Sequence, residues 1–287
     1  MVRRFPAHVR GPVISDEQLL EIAERVGSVP GIRAVTLGGS RARGTHHPDS
    51  DVDLGLYYDA DTLDLPALRQ AASGILGAPV DVAGPGGWGP WVDGGAWLTV
   101  DATAVDLILR ECARVREQRD RAIRGEFAVH QQTGHPLGFL DVAYAGEVAT
   151  CRPLVDANGV VEELRAGLSP YPRALRDALV AHLVNAEFIL GGAAKATGRG
   201  DLAYLQLCCT TALMWCAHAW HAEAGTWVTN EKGVVTGVAR LPLDTQDFAA
   251  RAADALARLG PDLSSAALTA AVSAVHDLVT ATRASLA

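Results

Sequence analysis

The residues Leu37-Gly38-Gly39-Ser40-Arg41-Ala42-Arg43-Gly44, followed shortly by Asp49-Ser50-Asp51-Val52-Asp53-Leu54, decide how this chain is read. The first stretch ends a β-prone run, Ile32 to Leu37, and Gly38-Gly39-Ser40 breaks it into a short helical turn. The second opens a run to Tyr58 that begins by alternating polar and apolar residues with period two. Residues two apart on a strand project from one face, so Asp51 and Asp53 stand side by side while Val52 and Leu54 face a core. Two such carboxylates repel each other, and the arrangement suits a hard divalent cation between them; oxygen-only donors favour Mg2+ or Mn2+ over zinc. A magnesium ion that keeps its waters takes phosphate oxygens to complete its shell. Gly38-Gly39 lets the backbone approach an anion closely, and Ser40 opens a helix whose amides point toward it. Triphosphate and metal are therefore expected to meet between these two strands.

A third carboxylate comes from Val105-Asp106-Leu107-Ile108-Leu109. Asp106 is flanked by apolar residues on both sides, an odd position for an ionised side chain unless its face opens on a site. It is the expected third metal ligand. Taken singly, Asp51 and Asp53 fit a solvated edge strand equally well, and Asp106 fits the end of a hairpin. Joined to Gly39 and Ser40, the three read as one site.

Around this centre the chain reads as a small mixed sheet. Ser15-Asp16-Glu17 precedes a helical pattern in which Leu19, Leu20, Ile22, Ala23 and Val26 share a face, stopped by Gly27 and Pro30. A further helix is expected over Leu65–Leu76, then a strand-like run at Pro79 to Val82. A glycine-rich stretch from Gly84 to Gly95 follows, which no helix start follows and which reads as a surface loop. Trp97 to Val100 and Val105 to Leu109 form an expected hairpin. From about Val161 the pattern becomes Ala/Leu-rich with period 3.6, with helices expected over Leu175–Leu190, Asp201–Glu223, Thr245–Leu259 and Ser264–Leu286. No fixed-period repeat is visible, which argues against a solenoid. The expected fold class is α+β: a mixed-sheet domain over residues 1–125 followed by an all-α helical bundle over 126–287, with the boundary in the polar segment from Glu117 to His135.

These motifs resemble the polymerase-β-type nucleotidyltransferase superfamily, which includes aminoglycoside and lincosamide nucleotidyltransferases. The resemblance covers roughly residues 30 to 110; the helical half is more weakly similar to the substrate-facing bundle of the antibiotic-modifying branch. It implies that Asp51 and Asp53 ligate the metals and that Asp106 shares the metal activating an acceptor hydroxyl. By the same resemblance Gly39 and Ser40, with Gly38 beside them, would hold the β,γ-phosphates. It also implies a nucleoside monophosphate, AMP from ATP or the equivalent from another NTP, moved to a hydroxyl with release of pyrophosphate. Arg41 and Arg43 read as phosphate contacts or as solvated cations. Lys232, in the polar turn Asn230-Glu231-Lys232-Gly233, reads as a triphosphate contact from the second half or as a solvated turn residue, with Lys195 and Arg199 as further candidates. For a general base the candidates are Asp106 itself, Glu187 and Glu231.

Composition bounds the function. The 287 residues are 49% hydrophobic and 20% charged, which sets disorder aside, and the net charge of -8 is the wrong sign for a protein living on nucleic-acid phosphates. The expected partners are an NTP and a small hydroxylated acceptor, with no membrane or nucleic acid, in a monomer or homodimer. Two other functions stay open: transfer to a macromolecule (a tRNA end or a protein hydroxyl), and a catalytically decayed nucleotide-binding or antitoxin-like partner. Cys112, Cys151, Cys208, Cys209 and Cys216 lack paired C-x-x-C spacing and read as reduced, buried thiols. The N-terminal segment has no apolar h-region, so a cytoplasmic location is expected. His46 and His47 read as loop residues. His218 and His221, spaced i, i+3 with Ala219 where a zincin helix needs Glu, read as packing or surface residues, as do His130 and His135.

Overall fold

The computed structural model describes residues 14–44, 47 and 50–287. The readings of the N-terminal segment up to residue 13, of His46, Pro48 and Asp49 lie outside the described residues. The chain divides into two compact units, residues 1–119 with 129–166, and residues 120–128 with 167–287.

The first unit opens with α1 (Asp16–Gly27), whose N-terminus carries a reciprocal cap: the Ser15 side chain accepts from the Gln18 amide while the Gln18 side chain accepts from the Ser15 amide. Its apolar stripe buries Leu19, Ile22, Ala23 and Val26, whereas Leu20 points outward and is exposed. There follow β1 (Ile32–Leu37), the four-residue α2 (Gly39–Ala42), β2 (Val52–Tyr58) and α3 (Leu65–Leu76), which is capped by Asp64 and stopped by Gly77 at φ 66°. The expected hairpin is β3 (Gly95–Val100) and β4 (Thr103–Glu111). Its two-residue turn, Asp101-Ala102, has φ of 46° and 63°, positive at both positions as a tight type I′ connection requires. The run Pro79 to Val82 is not a strand: beside it only an isolated bridge joins Ala83 to Gly95. Pro79 lacks an amide to donate, and the following glycines supply no pairing side chains.

After α4 (Cys112–Ile123) come a short hairpin of β5 (Val129–His130) and β6 (Phe139–Leu140), α5 (Ala143–Thr150), β7 (Arg152–Val155) and α6 (Val160–Arg165). The main sheet has the order β3-β4-β2-β1-β7. β2 and β4 run parallel, and all other neighbours run antiparallel. One sheet face carries Val35, Leu37, Val52, Leu54, Leu56, Val105, Leu107 and Leu109 into a core closed by α1 and α3. On the other face α5 covers the far ends of β2 and β4. There Arg110, with only 5% of its side chain exposed, makes a two-pronged ion pair with Glu147 at 2.5 and 2.8 Å and lies over the Tyr144 ring. Burial alone would lower the pKa of Arg110, but the Glu147 charge and its hydrogen bonds outweigh that and raise it.

In the second unit α7 (Arg173–Ala181) and α8 (Leu183–Ala196) are separate helices that part at His182, where a single helix was expected. α9 (Leu202–Glu223) is buried on nearly all sides in its second half, which is why its hydrophobic pattern lacks a polar stripe. α10 (Val234–Gly237), α11 (Phe248–Ala257) and α12 (Ser265–Leu286) complete it. All five cysteines are free and buried. Burial pushes the thiols of Cys209 and Cys216 up to about 12. His218 is buried among Trp215, His182 and His221, and desolvation, reinforced by the neighbouring histidines, pushes its pKa down to about 3. The stretch Arg173–Arg199 is long and apolar enough to cross a membrane by length and composition. That is weak evidence, since Arg176, Asp177, Glu187 and Lys195 lie within it.

Candidate active site

The site begins with the register of β2 on β4. Asp53 is the direct partner of Asp106 on these parallel strands, as Val52 is of Val105 and Leu54 of Leu107. The alternate residues of both strands are buried in the core, so the two aspartates share the opposite, partly exposed face. Neighbouring strands lie about 4.8 Å apart, which brings two like charges from segments fifty residues apart into one neighbourhood. Asp51, one residue ahead of β2, is exposed and continues the same alternation.

The glycine turn closes on this pair. At the end of β1 the Gly38 amide donates to the Asp53 carbonyl at 2.8 Å. Gly39 then adopts φ 61°, and any side chain there would collide with the Asp53 carboxylate: a Cβ would overlap Oδ2 and stand 2.9 Å from Cγ. Gly39 is thus needed both for its left-handed backbone and for the space it leaves to Asp53. α2 is a single turn with Gly38 at its N-cap and Arg43, exposed, at its C-cap. Ser40 lies within that turn.

Arg41 has a role that spacing did not reveal. Its Nε and Nη2 both donate to the Ser50 carbonyl, at 3.1 and 2.9 Å, and the Ser50 hydroxyl accepts from the His47 amide at 3.0 Å. The guanidinium ties the turn to the residue just ahead of Asp51, so that the approach to β2 is held from α2. A fork of donors meeting one carbonyl is a use of arginine that lysine cannot copy.

The residues proposed from the helical half lie in the second unit. Glu187, on α8, is ion-paired to Arg283 at 2.6 Å. Lys232 is exposed in the turn before α10, its amide donating to the Asn230 side chain at 2.8 Å, and Glu231 beside it is half-buried. His221 Nε2 lies 3.0 Å from the Val234 carbonyl. In the first unit His130 pairs with the buried Asp141 at 3.1 Å and stacks on Trp91, on the wall of a cavity of about 600 Å³ that also includes His135 and Gln132.

Residues 17–92 match the family model described as a nucleotidyltransferase domain. The match supports a nucleotidyltransferase. It spans Gly38, Gly39, Ser40, Asp51 and Asp53, stops short of Asp106, and covers well under half of the chain. A crystal structure of a nucleotidyltransferase-like protein from Exiguobacterium sibiricum 255-15 is similar to this chain over 92% of its length and 75% of the other, at 12% identity and a TM-score of 0.45. No curated protein matches.

The donors suit a hard cation in kind, being carboxylate oxygens alone. Among the described residues, no group of three or more His, Cys, Asp or Glu side chains is placed to hold a metal ion. Magnesium is commonly held by one or two carboxylates with substrate phosphates and water filling the shell, so the Asp53–Asp106 pair fits such an ion without a complete protein cage.

Proposed function

We propose that this chain transfers a nucleoside monophosphate, AMP from ATP by preference, to a hydroxyl of a small molecule and releases pyrophosphate. The observation that carries the reading is the register of Asp53 against Asp106 on parallel strands, with the Gly38-Gly39 turn folded onto the Asp53 carboxylate. A carboxylate pair kept on an open sheet face costs electrostatic repulsion, and a divalent cation bound with a triphosphate relieves it. The Gly38 amide is held by the Asp53 carbonyl, which leaves the Gly39 and Ser40 amides to meet the phosphates, and Arg43 is the proposed cationic contact. Asp53 and Asp106 would hold Mg2+ or Mn2+, with Asp51 at the mouth of the same face, and the ion would supply charge neutralisation on the phosphates and a lowered pKa for the acceptor hydroxyl.

In the transfer, the acceptor oxygen bonds to the α-phosphorus, the bond to the bridging oxygen of pyrophosphate breaks, and the hydroxyl proton leaves by way of an Asp106 oxygen to solvent. The net charge of -8 favours a cationic small acceptor over RNA, which supports the antibiotic-modifying branch as the finer reading. The test follows pyrophosphate release with Mg2+, each NTP and a panel of aminoglycosides, lincosamides and polyols. Wild type is expected to turn over and Asp53→Ala to lose at least 100-fold while unfolding at the same urea concentration; equal activity in the two removes Asp53 from the mechanism.

A further inference from the structure

Across the open face of the sheet, the order from one side to the other is the Gly38–Ser40 turn after β1, Asp53 on β2, Asp106 on β4 and Trp97 on β3. Trp97 is the direct register partner of Asp106. Its strand neighbours Ala96 and Leu98 lie in the core, so the indole stands on the same face as the carboxylate. Trp97 is 47% exposed, which for a lone surface aromatic would mean little. This one is braced: Trp88, from the glycine-rich loop, stacks on it with ring centroids 4.3 Å apart and planes 9° from parallel. Trp88 also lies close to Gly95, two residues before Trp97, which has φ 141° and where a Cβ would overlap the Leu107 carbonyl oxygen and stand 3.1 Å from Trp88 Cη2. One face of the Trp97 indole is thus occupied by Trp88, while the residue as a whole stays 47% exposed.

In-line displacement places the entering oxygen and the leaving pyrophosphate on opposite sides of the transferring phosphorus. If the phosphates lie at the Gly38–Ser40 turn, which is the reading proposed above and on which this inference rests, the acceptor arrives from the β4–β3 side. With strands about 4.8 Å apart, the Trp97 backbone lies about 5 Å beyond that of Asp106 and about 10 Å beyond that of Asp53. We infer that Trp97, held upright by Trp88, is the acceptor-side platform: it stacks on the flat face of a ring-bearing alcohol and so aims the ring's hydroxyl at Asp106. An aromatic platform of this kind favours cyclic acceptors over open-chain ones and leaves the nucleotide untouched.

The experiment compares wild type, Trp97→Ala and Trp97→Phe in pyrophosphate release at saturating Mg-ATP. Cyclic acceptors (myo-inositol, a methyl glucoside, kanamycin) are set against open-chain ones (glycerol, sorbitol). Cyclic acceptors are expected to be preferred. Trp97→Ala is expected to lower their kcat/KM about tenfold, chiefly through KM, with the KM for ATP within twofold and most of the loss restored by Trp97→Phe. The inference is overturned if Trp97→Ala leaves cyclic acceptors unaffected, or if it raises the KM for ATP instead, which would make Trp97 a nucleobase contact. Should wild type release no pyrophosphate with any NTP or acceptor, the transferase reading fails on its own. The platform is then read by saturation-transfer NMR of the same cyclic alcohols. Ring C–H signals seen with wild type and lost with Trp97→Ala keep it; their absence with wild type, or their persistence in the variant, overturns it.

Discussion

The contact between Gly39 and Asp53 makes Gly39→Ala the sharpest perturbation of the site. Two costs are separable. An alanine at φ 61° carries a left-handed penalty of about 1 kcal/mol whatever surrounds it. Its methyl group would also overlap Asp53 Oδ2 and approach Cγ to 2.9 Å, so the carboxylate must turn away, at a further cost of about 1 kcal/mol for an off-rotamer side chain. The expected loss of stability is therefore about 2 kcal/mol, read as a lower urea midpoint with an unchanged m-value. Activity should suffer far more, because a ligand carboxylate displaced by about 1 Å costs on the order of 100-fold. A double-mutant cycle apportions the two costs: in an Asp53→Ala background, where Cγ and both oxygens are gone, Gly39→Ala should cost only the backbone part, about 1 kcal/mol. Pyrophosphate release within twofold of wild type in Gly39→Ala, or an identical stability cost in both backgrounds, would falsify the claim that this glycine exists to seat Asp53.

Three further outcomes follow from the geometry. Arg41→Ala removes both donors to the Ser50 carbonyl and is expected to lower pyrophosphate release about tenfold for about 1 kcal/mol of stability, with Arg41→Lys failing to restore it; a lysine rescue would show that charge alone matters. Glu147→Ala strands the buried Arg110 guanidinium and should cost about 3 to 5 kcal/mol in urea unfolding, most of it recovered when Arg110→Met is added; a loss below 1 kcal/mol would mean the guanidinium finds water. His218 titrates at about 3 in the fold against about 6.5 unfolded, so the unfolded chain takes up its proton first as pH falls. Stability is full above pH 6.5 and declines below it, by about 2 kcal/mol at pH 5, until the folded imidazole itself protonates near pH 3. Thermal melts between pH 7 and 5 of wild type and His218→Phe should diverge by that amount, and parallel curves would remove His218 as the cause.

Much of the first unit was legible because its signals are local. Ser15-Asp16-Glu17 opens α1 and Gly27 closes it, the helical run Leu65–Leu76 is α3, and the alternation through Val52, Asp53 and Leu54 assigns sides to β2 before any partner is known. The misreadings share a cause: they depend on neighbours distant in the chain. Leu20 fits the apolar stripe of α1 by spacing yet stays 42% exposed. β7, four residues with Pro153 among them, has almost no strand signal and exists because β1 offers it an edge. The break at His182 does not interrupt the apolar period of α7 and α8, so a single helix was the natural reading.

Residue order alone determined which side chains were available for chemistry: a Gly-Ser turn, two carboxylates at strand spacing and a third on a later apolar run, in a chain of net charge -8. Period and turn chemistry act over a few residues, and these features lie within that range. Only the tertiary structure decided that Asp106 faces Asp53, because parallel register is set by the packing of Val and Leu side chains from both strands into one shared core, about fifty residues apart in the chain. The same packing turned Gly39 onto a carboxylate, Arg41 onto a carbonyl and Trp97 alongside Asp106.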